Sequence, residues 1–289
     1  MRKTIIPLLI LFFALTAFKQ DKPAYRIFGP DGKKLKYKDL LEQASKADII
    51  LFGELHNNPI CHWLQLELTR DLYAEAGSKL ILGAEMFETD DQLILDEYLK
   101  GIIPSKNFEN EAKLWPNYDT DYSPLVDFAR DNELSFIATN IPRRYAAVVH
   151  RKGFEGLDSL SAEAQKLLPP LPVPYDPELK GYRSMMEMMG GMGGHANANL
   201  PKAQAIKDAT MAYNIVINMG EGSIFVHYNG TYHSQNYEGI VWYLKQSNPE
   251  LSILTIASAE QDSIEELQEE NHELADFILC IPSGMTKTH

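Results

Sequence analysis

The stretch Asp48-Ile49-Ile50-Leu51-Phe52-Gly53-Glu54-Leu55-His56 decides the fold. Its unbroken apolar run, with no polar alternation, reads as a strand covered on both faces, the pattern of a parallel sheet. The run ends in glycine, and a histidine follows three positions later. The same shape returns far along the chain, where Ser223-Ile224-Phe225-Val226-His227-Tyr228 leads to Gly230-Thr231-Tyr232-His233. A third apolar run, Lys79-Leu80-Ile81-Leu82-Gly83-Ala84, leads into Glu85. Ligand sites in open α/β sheets form at the carboxyl ends of strands. Glu54, His56, Glu85 and His233 are therefore expected on one rim.

Working outward, strands and helices alternate. Residues 59–76 form a helical pattern stopped by Gly77, with Trp63, Leu64, Leu68 and Leu72 at apolar positions. Helices follow over 90–99 and 122–132, and strands over 134–140, 223–228, 251–256 and 277–281, with a helix around Ile240, Val241 and Leu244. The expected fold is α/β: a mostly parallel sheet flanked by helices. Between about 145 and 219 the alternation stops. The segment opens helically, turns proline-rich from Pro169 to Pro177, and then carries five of the ten methionines within residues 185–195. It reads as an inserted helical, Met-rich lobe over the rim. Lys33, Lys34, Lys36 and Lys38 read as a solvated turn.

The first residues read as a signal peptide over 1–17: Arg2 and Lys3, the apolar run from Ile5 to Phe13, then small residues for cleavage. The remainder, 18–289, reads as one domain carrying the insertion. The expected location is the periplasm or cell envelope. No cysteine stands near the cleavage point, so a lipoprotein is not indicated. The formal net charge of −13 becomes more negative once Arg2 and Lys3 are gone, which argues against nucleic acid and anionic membranes as partners. Two cysteines, Cys61 and Cys280, make no disulfide framework and read as buried thiols.

By count the G-x-x-H pattern is modest evidence, since 18 glycines and 8 histidines would give about half a match by chance against the two present. Its placement at two strand ends carries more. Imidazoles mixed with carboxylates suit a divalent metal, with His56, Glu85 and His233 as ligands, or acid/base chemistry without one. The same groups could equally form a polar network that only positions loops. His62, six residues beyond His56, is read as peripheral. Arg143, after the strand at 134–140, could hold a carboxylate or simply start a helix. Residues 115–122 could wall a pocket with aromatic rings. In the lobe, Met185, Met189 and His195 suit a broad flat apolar ligand, and methionine, histidine and tyrosine are all possible haem iron ligands.

Together these segments resemble a known family. Residues 51–68 (LFGELHNNPICHWLQLEL), 83–99 (GAEMFETDDQLILDEYL), 115–122, 138–143 (ATNIPR), 208–214 (DATMAYN) and 225–239 are similar to the ChaN-like haem-binding uptake family, exported iron-regulated proteins within the TraB/Tiki and erythromycin-esterase-like superfamily. The resemblance spans roughly residues 25–285. It implies haem as cofactor, a homodimer holding two haems face to face, a tyrosine ligand to iron, and a role with a haem uptake system at the outer membrane or cell surface. Tyr182 and Tyr213, in or beside the lobe, are the candidates for that ligand, with Arg143 for the propionates. The wider superfamily implies a site of two G-x-x-H motifs plus glutamates, which maps onto Glu54, His56, Glu85 and His233 and supports hydrolysis, metal-dependent or not, in other branches. The departure here is the missing lipidation cysteine.

Overall fold

The computed structural model describes residues 21–190 and 198–289; the signal-peptide segment, the Met189 side chain and His195 lie outside what it describes. Five elements open the chain: β1 (Arg26–Phe28), β2 (Lys34–Leu35), α1 (Tyr37–Ala44), β3 (Ile49–Glu54) and α2 (Pro59–Ala76). Next come β4 (Leu80–Glu88), α3 (Gln92–Leu99), α4 (Ser105–Glu111), α5 (Ser123–Asp131) and β5 (Phe136–Asn140). After α6 (Arg143–Lys152), α7 (Ala162–Gln165), α8 (Lys180–Gly190) and α9 (Leu200–Asn218), the chain closes with β6 (Ile224–Gly230), α10 (Ile240–Ser247), β7 (Ile253–Gln261) and β8 (Phe277–Pro282).

One eight-stranded sheet runs β2-β1-β8-β7-β3-β6-β4-β5. The six strands from β8 to β5 are parallel, and the β1–β2 hairpin adds an antiparallel edge. The expected α/β class holds. Every residue of β3 is buried, as its central place between β6 and β7 requires. Its side chains alternate between two cores: Ile50 and Phe52 face the layer of α1, α2, α3 and α5, while Ile49 and Leu51 face the layer of α6, α9 and α10. The helix α2 starts where Asn58 Oδ1 accepts from the Ile60 N–H at 3.0 Å, with Pro59 in its first turn.

Two expectations change. The lysine-rich stretch is not merely a solvated turn: it holds β2 and the start of α1, whose Leu40 and Ala44 reach the core. The segment from 145 to 219 is not a lobe standing off the sheet, because α6 and α9 bury Ala146, Val149, Ile206, Met211 and Ile215 in the second core. Only the stretch between α6 and α9 is an excursion, and α8 within it carries four of the five methionines. Cys61 and Cys280 are free and buried, as expected. Among the described residues, no helix is long and apolar enough to cross a membrane.

Candidate functional site

The two G-x-x-H motifs end neighbouring strands. In the parallel pair β3·β6, Glu54 stands opposite Gly230. Each glycine makes room for the other motif. A Cβ on Gly230 would lie 2.8 Å from both Cε1 and Nε2 of His56, and one on Gly53 would lie 2.7 Å from the Ile256 carbonyl oxygen and 2.9 Å from Thr231 Cα. The motif is thus a packing requirement as well as a chemical one.

Around this seam the four expected rim residues form two linked clusters. In the first, the His56 Nδ1–H donates to Glu54 Oε1 at 2.9 Å, because a carboxylate offers only acceptors. Glu54 is buried and also accepts from the Tyr122 hydroxyl and, at 2.5 Å, from Gln65 Nε2. Burial alone would raise the Glu54 pKa, but the bonds from His56 and Tyr122 and the nearby imidazoles hold it below the usual range. His56 responds oppositely: burial opposes its charge, yet Glu54 and Glu85 raise its pKa. Its side chain is 45% exposed, and its Nε2 makes no hydrogen bond among the described residues.

In the second cluster, His233 is clamped between two buried carboxylates. Its Nε2 lies 3.0 Å from Glu85 Oε1, and its Nδ1 bonds Asp208. Burial would depress the imidazole, but the Glu85 and Asp208 charges and bonds outweigh it and carry the pKa up to about 10. His233 is therefore a fixed imidazolium with neither nitrogen free. Glu85 also accepts from the Gly230 N–H at 2.8 Å, and despite burial its pKa is held well below the usual range by His233. For Asp208 burial wins, and its pKa is raised.

This geometry corrects several readings. The metal set His56, Glu85, His233 is not assembled, because both His233 nitrogens are spent on carboxylates; among the described residues no three His, Cys, Asp or Glu side chains could hold a metal ion. His62 is not peripheral. It is buried, with Nδ1 3.0 Å from Gln65 Oε1 and Nε2 3.1 Å from the His56 carbonyl oxygen. Tyr182 is buried and donates to Asp208 Oδ2 at 2.7 Å; burial and that carboxylate push its pKa far up, so a tyrosinate there would place two buried anions side by side. Tyr213 is half-buried on α9, roughly 7 Å of helix beyond Asp208. Met185 is half-buried on α8.

Residues 115–122 do wall the site. The Trp115 ring meets His56 edge-on at 4.8 Å and Tyr122 at 5.6 Å, and Asn117 Nδ2 donates to the His56 carbonyl oxygen at 2.7 Å. Arg143 is exposed and lines a cleft of about 490 Å³ with Trp115, Leu114, Lys113 and Arg144. Lys113 and Arg144 already pair with Asp90, at 2.6 and 2.5 Å, whereas Arg143 has no charged partner among the described residues. On the other side of His56 a second cleft, of about 570 Å³, is lined by Glu54, Thr231, Tyr232, Ser258, Lys287 and His289. There Thr288 N donates to the Asn57 carbonyl oxygen at 3.0 Å and Thr288 Oγ1 to Asp121 at 2.7 Å.

Asp208 and Gln65 were not expected at the site, and Tyr122 was expected only as an aromatic wall, not as a donor to Glu54. A weak signal existed for Asp208: it is the lone acid in the apolar helical run from Ala203 to Ile215. Nothing local marked Gln65, or the bond of Tyr122 to Glu54, 68 residues away.

The fold and site together define an α/β protein with an imidazole–carboxylate centre at the carboxyl rim of a parallel sheet, flanked by two clefts. The chain belongs to the family described as "Haem-binding uptake, Tiki superfamily, ChaN", which matches residues 40–244. Among solved structures it is similar to one described as cofacial haem binding to ChaN of Campylobacter jejuni, at a TM-score of 0.66 and 19% identity, over 88% of this chain and 96% of that one. It also shares a fold with an erythromycin esterase mutant in its open conformation, at a TM-score of 0.51 and 12% identity, over 90% and 97% of the two chains. A curated relative, the chloroplastic protein RETICULATA-RELATED 5 of Arabidopsis thaliana, is 29% identical over 139 residues; the match takes 46% of this chain and only 18% of that protein's length.

Proposed function

We propose that this chain binds haem and acts in haem or iron acquisition outside the cytoplasm. The observation that carries the reading is the family match over residues 40–244. The residues at the rim suit the group. Haem needs a broad apolar wall, a donor to iron and a cation for its carboxylates. Trp115 and Leu114 supply a wall, and Arg143 supplies an uncommitted guanidinium in the same cleft. Bound there, haem would supply iron for carriage. Export rests on the pattern of residues 1–17, and the homodimer and an uptake-system partner rest on the family resemblance. The test is a hemin titration of the mature protein followed through the Soret band. Saturable binding near one haem per chain is expected, and no saturable change removes the reading.

A second reading, hydrolysis at the rim, is favoured by one observation: half-exposed His56 has one nitrogen braced by a buried carboxylate and the other unbonded. That is the posture of a general base. The imidazolium of His233 would hold Glu85 and help offset negative charge developing nearby. If ester turnover exists, His56→Ala should lower its rate by roughly 10²–10⁴-fold; a panel of esters and peptides with no His56-dependent turnover would count against it.

A further inference from the structure

We infer that residues 285–288, which follow β8, form a strap that fastens the loop of the first G-x-x-H motif and closes one side of the cleft beside His56, and that release of the strap opens this cleft to a ligand. The inference does not depend on which ligand the rim takes.

Three attachments hold the strap, and all of them converge on residues 56–58. The Thr288 N–H donates to the Asn57 carbonyl oxygen at 3.0 Å. The Thr288 hydroxyl donates to Asp121 Oδ2 at 2.7 Å. That same oxygen accepts from Asn117 Nδ2 at 2.6 Å, and Asn117 Nδ2 also donates to the His56 carbonyl oxygen at 2.7 Å. The Lys287 ammonium pairs with Glu260 Oε1, which also accepts from Asn58 Nδ2 at 2.9 Å. Asn58 in turn caps α2. Each carboxylate is therefore shared between the strap and the supports of the loop, so fastening one steadies the other. Upstream, Met285 packs against the first core and anchors the base of the strap.

The strap stands where it can control entry. Lys287 and His289 wall the cleft of about 570 Å³ that Glu54, His56 and Tyr232 also line. Its fastenings are of a kind that opens. Thr286 and Lys287 are exposed, and a partly exposed ion pair contributes little to stability. A segment held by one such pair, one hydroxyl and one amide belongs to the low-stability end of a fold, from which lids are drawn. Asp121, by contrast, is buried, and it stays in place as the catch when the strap leaves.

The test needs no ligand. Carbethoxylation of His56 by diethyl pyrocarbonate, located by peptide mass spectrometry, reads access to the cleft. Amide hydrogen exchange on the same samples reads where the chain has loosened. In the full chain, Thr288→Val should speed His56 modification about tenfold, the change in open population that follows loss of a hydrogen bond to a charged group. Thr288→Ser, which keeps the hydroxyl, should react as wild type. Faster exchange in Thr288→Val should be confined to the first-motif loop, the start of α2 and the strap. An unchanged rate in Thr288→Val overturns the strap as a gate. A faster rate with faster exchange throughout the sheet also overturns it, because the substitution then acts through overall stability. If Thr288→Val does not fold, Lys287→Gln decides: it leaves the core untouched and should speed modification roughly two- to fivefold, the scale of a surface ion pair, with an unchanged rate overturning the gate. Neither readout uses hemin, so failure of the strap and failure of haem binding are separate results.

Discussion

Gly230 has no side chain, and the position of His56 depends on that. A methyl group there would meet the imidazole at 2.8 Å. The ring can turn outward, but it then leaves Glu54 with one fewer donor in a buried setting. Gly230→Ala should therefore cost roughly 1–3 kcal/mol, as overpacking does. Denaturant melts check it; an unchanged melt with His56 still bonded to Glu54 would contradict the packing argument. His233 allows a second prediction, from its charge. Its folded-state pKa is raised to about 10, against about 6.5 for an unperturbed imidazole. The stabilisation it contributes is then complete below about pH 6.5 and drains away as pH rises towards 10. Wild-type stability should fall through that window, and His233→Gln, though less stable throughout, should show a flatter profile. Urea unfolding at a series of pH values reads the difference, and parallel profiles would contradict the clamped imidazolium. The four rim residues were readable because strand ends and glycines are local signals. Asp208 and Tyr122 were not, since a side chain's worth here depends on partners 25 and 68 residues away.

At the scale of elements, the parallel strands were legible because burial on both faces leaves a continuous apolar signature. Their ends were less so: β4 continues through Met86 and Phe87 to Glu88, past Glu85, because the flanking layers still cover it. The β1–β2 hairpin escaped notice because a short edge strand needs few apolar residues and tolerates lysines. The other edge, β5, is protected by a side chain. Gln92 Nε2 donates to the Phe136 carbonyl oxygen at 3.1 Å, and the Ala138 N–H donates to Gln92 Oε1 at 2.7 Å. One carboxamide thus stands in for a neighbouring strand. Gln92→Ala should cost about 1–2 kcal/mol and speed exchange of the Ala138 amide, measurable by hydrogen exchange; unchanged protection there would mean that the edge is covered by something else. The first turn of α8 shows the same economy. Glu238 accepts from the N–H groups of Lys180 and Gly181 at 2.8 and 2.7 Å, and Tyr182 bonds Asp208. The methionine-bearing helix is therefore anchored to the second G-x-x-H motif, a link that composition alone could not reveal.

At the scale of the whole molecule, the acidic charge and the geometry of haem bear on the proposed assembly. A porphyrin has two faces, and a single rim can cover only one of them. The other would stay in water, with its apolar area unburied at roughly 25 cal/mol per Å². A second copy of the chain can cover it, and the simplest closed arrangement is an isologous pair about a two-fold axis. Two chains of formal charge −13 repel each other, so apo-protein should favour the monomer. Haem, bound as proposed, would then tip the balance towards the pair. Sedimentation at moderate salt should give a monomer of about the sequence mass without hemin and a doubled mass once hemin approaches one per chain. Raising the ionic strength should strengthen the dimer by screening the repulsion. If the mass stays monomeric at every hemin ratio while the Soret band still saturates, each chain covers its haem alone, and the face-to-face dimer does not apply to this protein.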